Sequence, residues 1–145
     1  MKLLLIIGAL VGTIGTLSTI YYTSSPPTTC ADLPAIVEPE IGSVYITSIL
    51  PNAIGNDKDS EWIKITNKQN TSINLKDYQL QIAEQIYELP DFTIYGQNTK
   101  TLPTKDLGLS LPNSPNTIKL LLITGKVIDT LNYPKPHGGQ IFFHP

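Results

Sequence analysis

From Val44 onward the chain is divided into short runs in which every second residue is apolar, and the runs are closed by Pro, Asn or Gly. Val44-Tyr45-Ile46-Thr47-Ser48-Ile49 alternates and stops at Pro51-Asn52. Ile63 and Ile65 then share one face, with Trp62 and Lys64 on the other. Ile73 and Leu75 precede the turn signal Lys76-Asp77, after which Tyr78, Leu80 and Ile82 continue at period two. Tyr87-Glu88-Leu89 meets Pro90, and Phe92-Thr93-Ile94 ends at Tyr95-Gly96-Gln97-Asn98. Leu107, Leu109 and Leu111 alternate with Gly108 and Ser110. Thr117 to Ile123 leads into Thr124-Gly125-Lys126, a tight hairpin turn, and Val127 to Leu131 returns. Strand residues alternate between two faces, so each run reads as a strand with one face for a core. Leu80 to Leu89 carries a weak spacing of three and four, but its β-branched content and Pro90 favour strands. The pattern predicts an all-β body, a sandwich or barrel; about 100 residues is the size of one immunoglobulin-like β-sandwich.

Such a body must be held by its core alone, because Cys30 has no partner in the chain. With 41% hydrophobic and 15% charged residues, a core of useful size is within reach if residues 41–145 fold together as one domain. The net charge is −2, and all ten basic residues are scattered lysines. Phosphate binding needs clustered cations and base reading leans on Arg forks, so nucleic acid is not an expected partner.

Residues 1–22 have a different character. No charge falls between Leu3 and Tyr22, and about 20 apolar residues suffice to cross a hydrocarbon core as a helix. The expectation is an N-terminal transmembrane helix, a signal anchor, or else a cleaved signal peptide. Lys2 would keep the N-terminus cytoplasmic, and Tyr21-Tyr22 would sit at the far interface. Small-x-small cleavage sites are poor here, and Pro27-Thr28-Thr29 makes Cys30 a poor lipidation site. Residues 23–40, rich in Pro, Ser and Thr, read as a linker that spaces the domain from the membrane. The domain is thereby expected outside the cytoplasm or at the cell surface, on a single-pass protein tethered through residues 3–22.

Few residues suggest chemistry. Asp57, Asp59 and Glu61 alternate in one acidic turn, a weak candidate calcium loop, but Lys58 intervenes and calcium takes six to eight oxygens. His137 and His144 lack a third ligand and read as surface residues. No nucleophile elbow and no phosphate-binding loop occurs, so no cofactor and no catalytic residue is assigned. Trp62 reads as a packing residue that anchors one sheet face, with ligand stacking as the rival. Asn67 is expected to bond turn backbone, and Asp129 to fix a neighbouring loop. Asn70-Thr71-Ser72 is a formal glycosylation sequon in a turn, and Ile141-Phe142-Phe143 is either a closing edge strand or a sticky patch.

From about Val44 to Gln140 the order of these features resembles the lamin tail domain family, in an exported, prokaryotic-type form. The resemblance rests on Glu61-Trp62-Ile63-Lys64-Ile65 with Asn67, on Leu75-Lys76-Asp77-Tyr78, on Leu89-Pro90, on Ile118-Lys119-Leu120, and on Gly125-Lys126-Val127-Ile128-Asp129 with Tyr133. It implies an immunoglobulin-like module for binding or scaffolding, not an enzyme, with a protein or cell-envelope partner still to be identified. The alternative is a Ca²⁺- or glycan-binding surface domain that uses the acidic turn and an exposed aromatic such as Tyr95 or Tyr87.

Overall fold

The computed structural model describes residues 38–55 and 60–145. They belong to one compact unit, Val37–Pro145. Strands β1 (Val44–Leu50), β2 (Trp62–Asn67), β3 (Ile73–Asn74), β4 (Tyr78–Ile82) and β5 (Gln85–Glu88) are followed by β6 (Thr93–Ile94), β7 (Asn98–Pro103), β8 (Asn116–Leu122), β9 (Val127–Tyr133) and β10 (Phe142–Phe143). One antiparallel sheet runs β10-β1-β2-β7 and the other β5-β4-β8-β9, while β3 and β6 make a small two-stranded ribbon. No helix among the described residues is long and apolar enough to cross a membrane. The expected anchor at 3–22, Cys30 and residues 23–37 of the expected linker lie outside the described residues.

The alternation in the sequence is what builds the core. In β2, Ile63 and Ile65 are fully buried while Trp62, Lys64 and Thr66 are half-buried on the opposite face. Leu80 in β4, Ile118 and Leu120 in β8, and Ile128 and Leu131 in β9 meet them in one cluster. Burying a side chain of this size contributes about 1.5–3 kcal/mol, so the facing rows supply the stability that a disulfide-free sandwich needs. The architecture is an all-β, immunoglobulin-like sandwich.

In β1 the period breaks: Ile46 is opposite Ile65, but the next inward residue is Ile49, opposite Ile63. An irregularity between Ile46 and Ser48 absorbs the extra residue. Such a bulge lets both isoleucines face the core despite their odd spacing.

Two expectations are corrected. The alternation of Leu107, Leu109 and Leu111 does not form a strand. Thr104–Leu107 is a 3-10 turn, and Gly108 closes it at φ 64°. Leu109 and Leu111 still enter the core from the loop beyond. Conversely β7 follows a segment that reads only as a turn, because it buries just one large apolar residue, Leu102, among polar neighbours. As the outer strand of its sheet it needs only that one anchor.

Candidate functional site

Three polar side chains from the predicted set, Asn67 and Glu61 buried and Asp129 half-buried, each tie two elements together. Asn67 ends β2 with no exposed surface. Its amide donates to the carbonyls of Thr71 at 2.8 Å, Ile94 at 3.2 Å and Tyr95 at 3.3 Å. Its oxygen accepts the Gln69 N–H at 2.9 Å. One side chain thus closes the turn after β2 onto the β6–β7 connection.

Glu61 precedes β2 and is 1% exposed. Its Oε2 accepts the Leu111 N–H at 2.9 Å, the Ser110 hydroxyl at 3.2 Å and the Thr104 hydroxyl at 3.4 Å. The backbone follows suit, with Thr104 N–H donating to the Glu61 carbonyl at 3.1 Å. Glu61 therefore faces inward to the 104–111 segment rather than outward to solvent. Of the weak calcium loop this leaves Asp57 and Asp59, which lie outside the described residues. Burial first, and then the nearby Glu61, push the Tyr133 hydroxyl above its ordinary range. That hydroxyl donates to the Pro112 carbonyl at 2.9 Å.

Asp129 stands in the middle of β9 and reaches across to the other sheet. Its Oδ2 accepts the Ile46 N–H of β1 at 2.7 Å. Its Oδ1 meets Nε2 of His144 at 2.8 Å. The His144 ring stands edge-on to Tyr45, centroids 5.5 Å apart, and Lys68 Nζ lies 4.3 Å over the same Tyr45 ring. Tyr45, Lys68, Asp129 and His144 line a cleft of about 360 Å³. The polar groups of this cleft are already engaged with one another. The second His144 nitrogen sits 3.1 Å from the Pro145 carbonyl. Among the described residues, neither ring nitrogen meets a Ser, Thr or Cys side chain, the arrangement nucleophilic catalysis needs. No group of three or more His, Cys, Asp or Glu among the described residues could hold a metal ion.

The other named residues occupy simpler positions. Leu75, fully buried, opens a 3-10 turn capped by the Asn74 side chain. Trp62 lies half-buried on the outer face between Leu50 and Pro103, with Lys64 Nζ 4.8 Å over its ring. Tyr95 is exposed, and Tyr87 is half-buried with its hydroxyl on Gln85. His137 is exposed, whereas His144 is drawn into the Asp129 cleft. The sequence placed both histidines on the surface. No local signal could have separated them, since the pairing depends on where β10 lands.

Two antiparallel sheets around a filled apolar core, with their buried polar groups used as ties between elements, define the class as an immunoglobulin-like β-sandwich module. Within that class the match is specific: the family model of the Lamin Tail Domain covers residues 38–135, and the chain belongs to that family. Its members are immunoglobulin-like domains not known for catalysis. No curated protein matches the chain.

Proposed function

We propose that the protein is a membrane-tethered, extracytoplasmic module of the lamin tail type that binds or scaffolds other macromolecules and performs no catalysis. The use of its polar side chains carries this reading. Asn67, Glu61 and Asp129 are all engaged with backbone N–H or carbonyl groups of neighbouring elements. Groups committed in that way hold a fold together and are poorly placed to exchange protons with a substrate. What remains for a partner is surface: exposed loop residues such as Tyr95, and the outer edges of β5 and β7. Strand addition at an edge or packing against loop tips are the modes such a surface supports.

The tether rests on the uncharged stretch from Leu3 to Tyr22 behind Lys2, and on the Pro-rich spacer that follows. Fractionation of cells expressing the full chain, followed by protease added from outside, tests it. The protein is expected in the membrane fraction with its domain digested while the cells stay sealed. Recovery in the soluble fraction, or a domain protected from the protease, would end the tethered reading. Crosslinking before extraction then identifies the partner. Turnover in a hydrolase screen that one substitution abolishes would end the non-catalytic one.

A further inference from the structure

The last strand is held as a ligand would be. β10 contributes two residues to the ladder, Phe142 opposite Ile49 and Phe143 opposite Ser48, and His144 N–H adds a bond to the Thr47 carbonyl at 2.9 Å. Side chains alternate as in a docked strand. Phe142 turns inward, its ring 5.6 Å from that of Tyr133. Phe143 points out and is 69% exposed. His144 reaches the Asp129 carboxylate. Backbone pairing with pockets for alternate side chains is how sheet edges capture extended peptides. The tail is joined to β9 by residues 134–141, which include Pro134, Pro136, Gly138 and Gly139. That strap carries one turn, in which Gln140 N–H donates to the His137 carbonyl at 3.0 Å and His137 N–H to the Gln140 side chain at 3.0 Å, and it is tied to the loop after β1 by Gly139 N–H donating to the Asn52 carbonyl at 2.6 Å. Opened, it would reach roughly 28 Å.

We propose that the β1 edge, with the Asp129 carboxylate at one end, is a docking groove for an extended aromatic segment, and that it accepts the tail of a second copy in exchange for its own. The chemistry of the occupant is given by what sits there now: an aromatic that fills the gap beside Tyr133, and an imidazole two residues on that meets Asp129. A second copy carries that segment in full. Exchange of an identical element over a hinge is a low-cost route to association, because each chain recovers from its partner the strand pairing it gives up. The inference rests on the reading of the domain as a binding module and names its partner.

The test uses full-length chains with Cys30→Ser as background. One carries Ser48→Cys and the other Phe143→Cys. Antiparallel neighbours stand about 4.5–5.5 Å apart at Cα, within the range a disulfide spans. A single chain carrying both substitutions should close internally on oxidation, which checks the docking geometry. Mixed single-substitution chains should then give a covalent heterodimer whose yield rises with concentration. Adding His144→Ala to the Ser48→Cys chain loosens only the competing tail and should raise that yield several-fold. Failure of the double variant to close would remove the groove. Closure without any heterodimer would leave the tail a fixed part of its own chain and overturn the exchange. So would an unchanged yield with His144→Ala, or an equal yield when the exposed Lys105→Cys replaces Ser48→Cys. None of these outcomes bears on the membrane tether, which fractionation decides separately.

Discussion

The Asn67 amide faces three carbonyls and its oxygen faces one N–H, so the residue has to be an amide. Asn67→Ala leaves these groups without their partner in a buried site and should lower stability by about 2–3 kcal/mol. Asn67→Asp should cost more, because it sets a carboxylate against the three carbonyls. Urea unfolding of both variants checks the order, and an Asp variant as stable as the Ala variant would contradict it. Glu61 is the counterpart at the other end of β2. Glu61→Ala strips Leu111, Ser110 and Thr104 of a shared acceptor and should cost about 3 kcal/mol, again read from the urea midpoint. The two residues were not equally legible. An Asn at a strand exit announces a turn bond, because its partner at Gln69 is two positions away. The partners of Glu61 lie 43 to 50 positions on, and acid in a polar turn reads as solvated until the 104–111 loop is placed over it.

At the level of elements, the strands that span the sandwich were readable because burial imposes period two on them. β2 and β4 carry their core rows in plain alternation, whereas β8 buries Leu120 to Leu122 in a row and β9 sets Ile128 and Leu131 three apart, with an irregularity in their pairing between Leu120 and Leu121. The misses fall where another constraint sets the backbone. Leu107, Leu109 and Leu111 face the core from a turn and a loop, so their spacing imitates a strand without the ladder. β7 is anchored by Leu102 and pairs fully with β2, yet its polar residues leave little periodicity to see. Its approach carries a demanding glycine. A Cβ built on Gly96 would lie 2.5 Å from the Asn70 carbonyl oxygen, which is rigid backbone on the turn that Asn67 closes. Gly96→Ala should therefore push the β6–β7 connection off that turn and cost about 1–3 kcal/mol. Gly125 makes the comparison: it has open space around it but φ 86°, so Gly125→Ala should cost about 1 kcal/mol from backbone strain alone. Hydrogen exchange separates the two, since only the first change should speed exchange at the Gln69 and Gln97 amides.

At the scale of the whole molecule, a core without disulfides makes stability sensitive to any buried group that must change charge. Tyr78 and Tyr133 are both 3% exposed. Burial first, then Asp77, moves the Tyr78 hydroxyl up to about 12, and Tyr133 is raised further still. In the unfolded chain each ionises near 10. The folded state thus holds two protons more tightly than the unfolded state does. Below pH of about 10 both states keep them, and the stability they represent is fully present. As pH rises from there through the folded values, the unfolded chain releases protons that the folded chain retains, and stability falls. Substitution isolates the contribution of the two tyrosines. Tyr78→Phe with Tyr133→Phe removes both hydroxyls. At neutral pH the pair should cost about 1 kcal/mol, mainly the lost bond to Pro112. Above pH of about 10 the variant should lose stability more gently than the parent, and the two curves should approach or cross. Urea midpoints taken at intervals from pH of about 7 to 12 measure this directly. Parallel decline of the two proteins would show that these hydroxyls do not govern the alkaline limit of the fold.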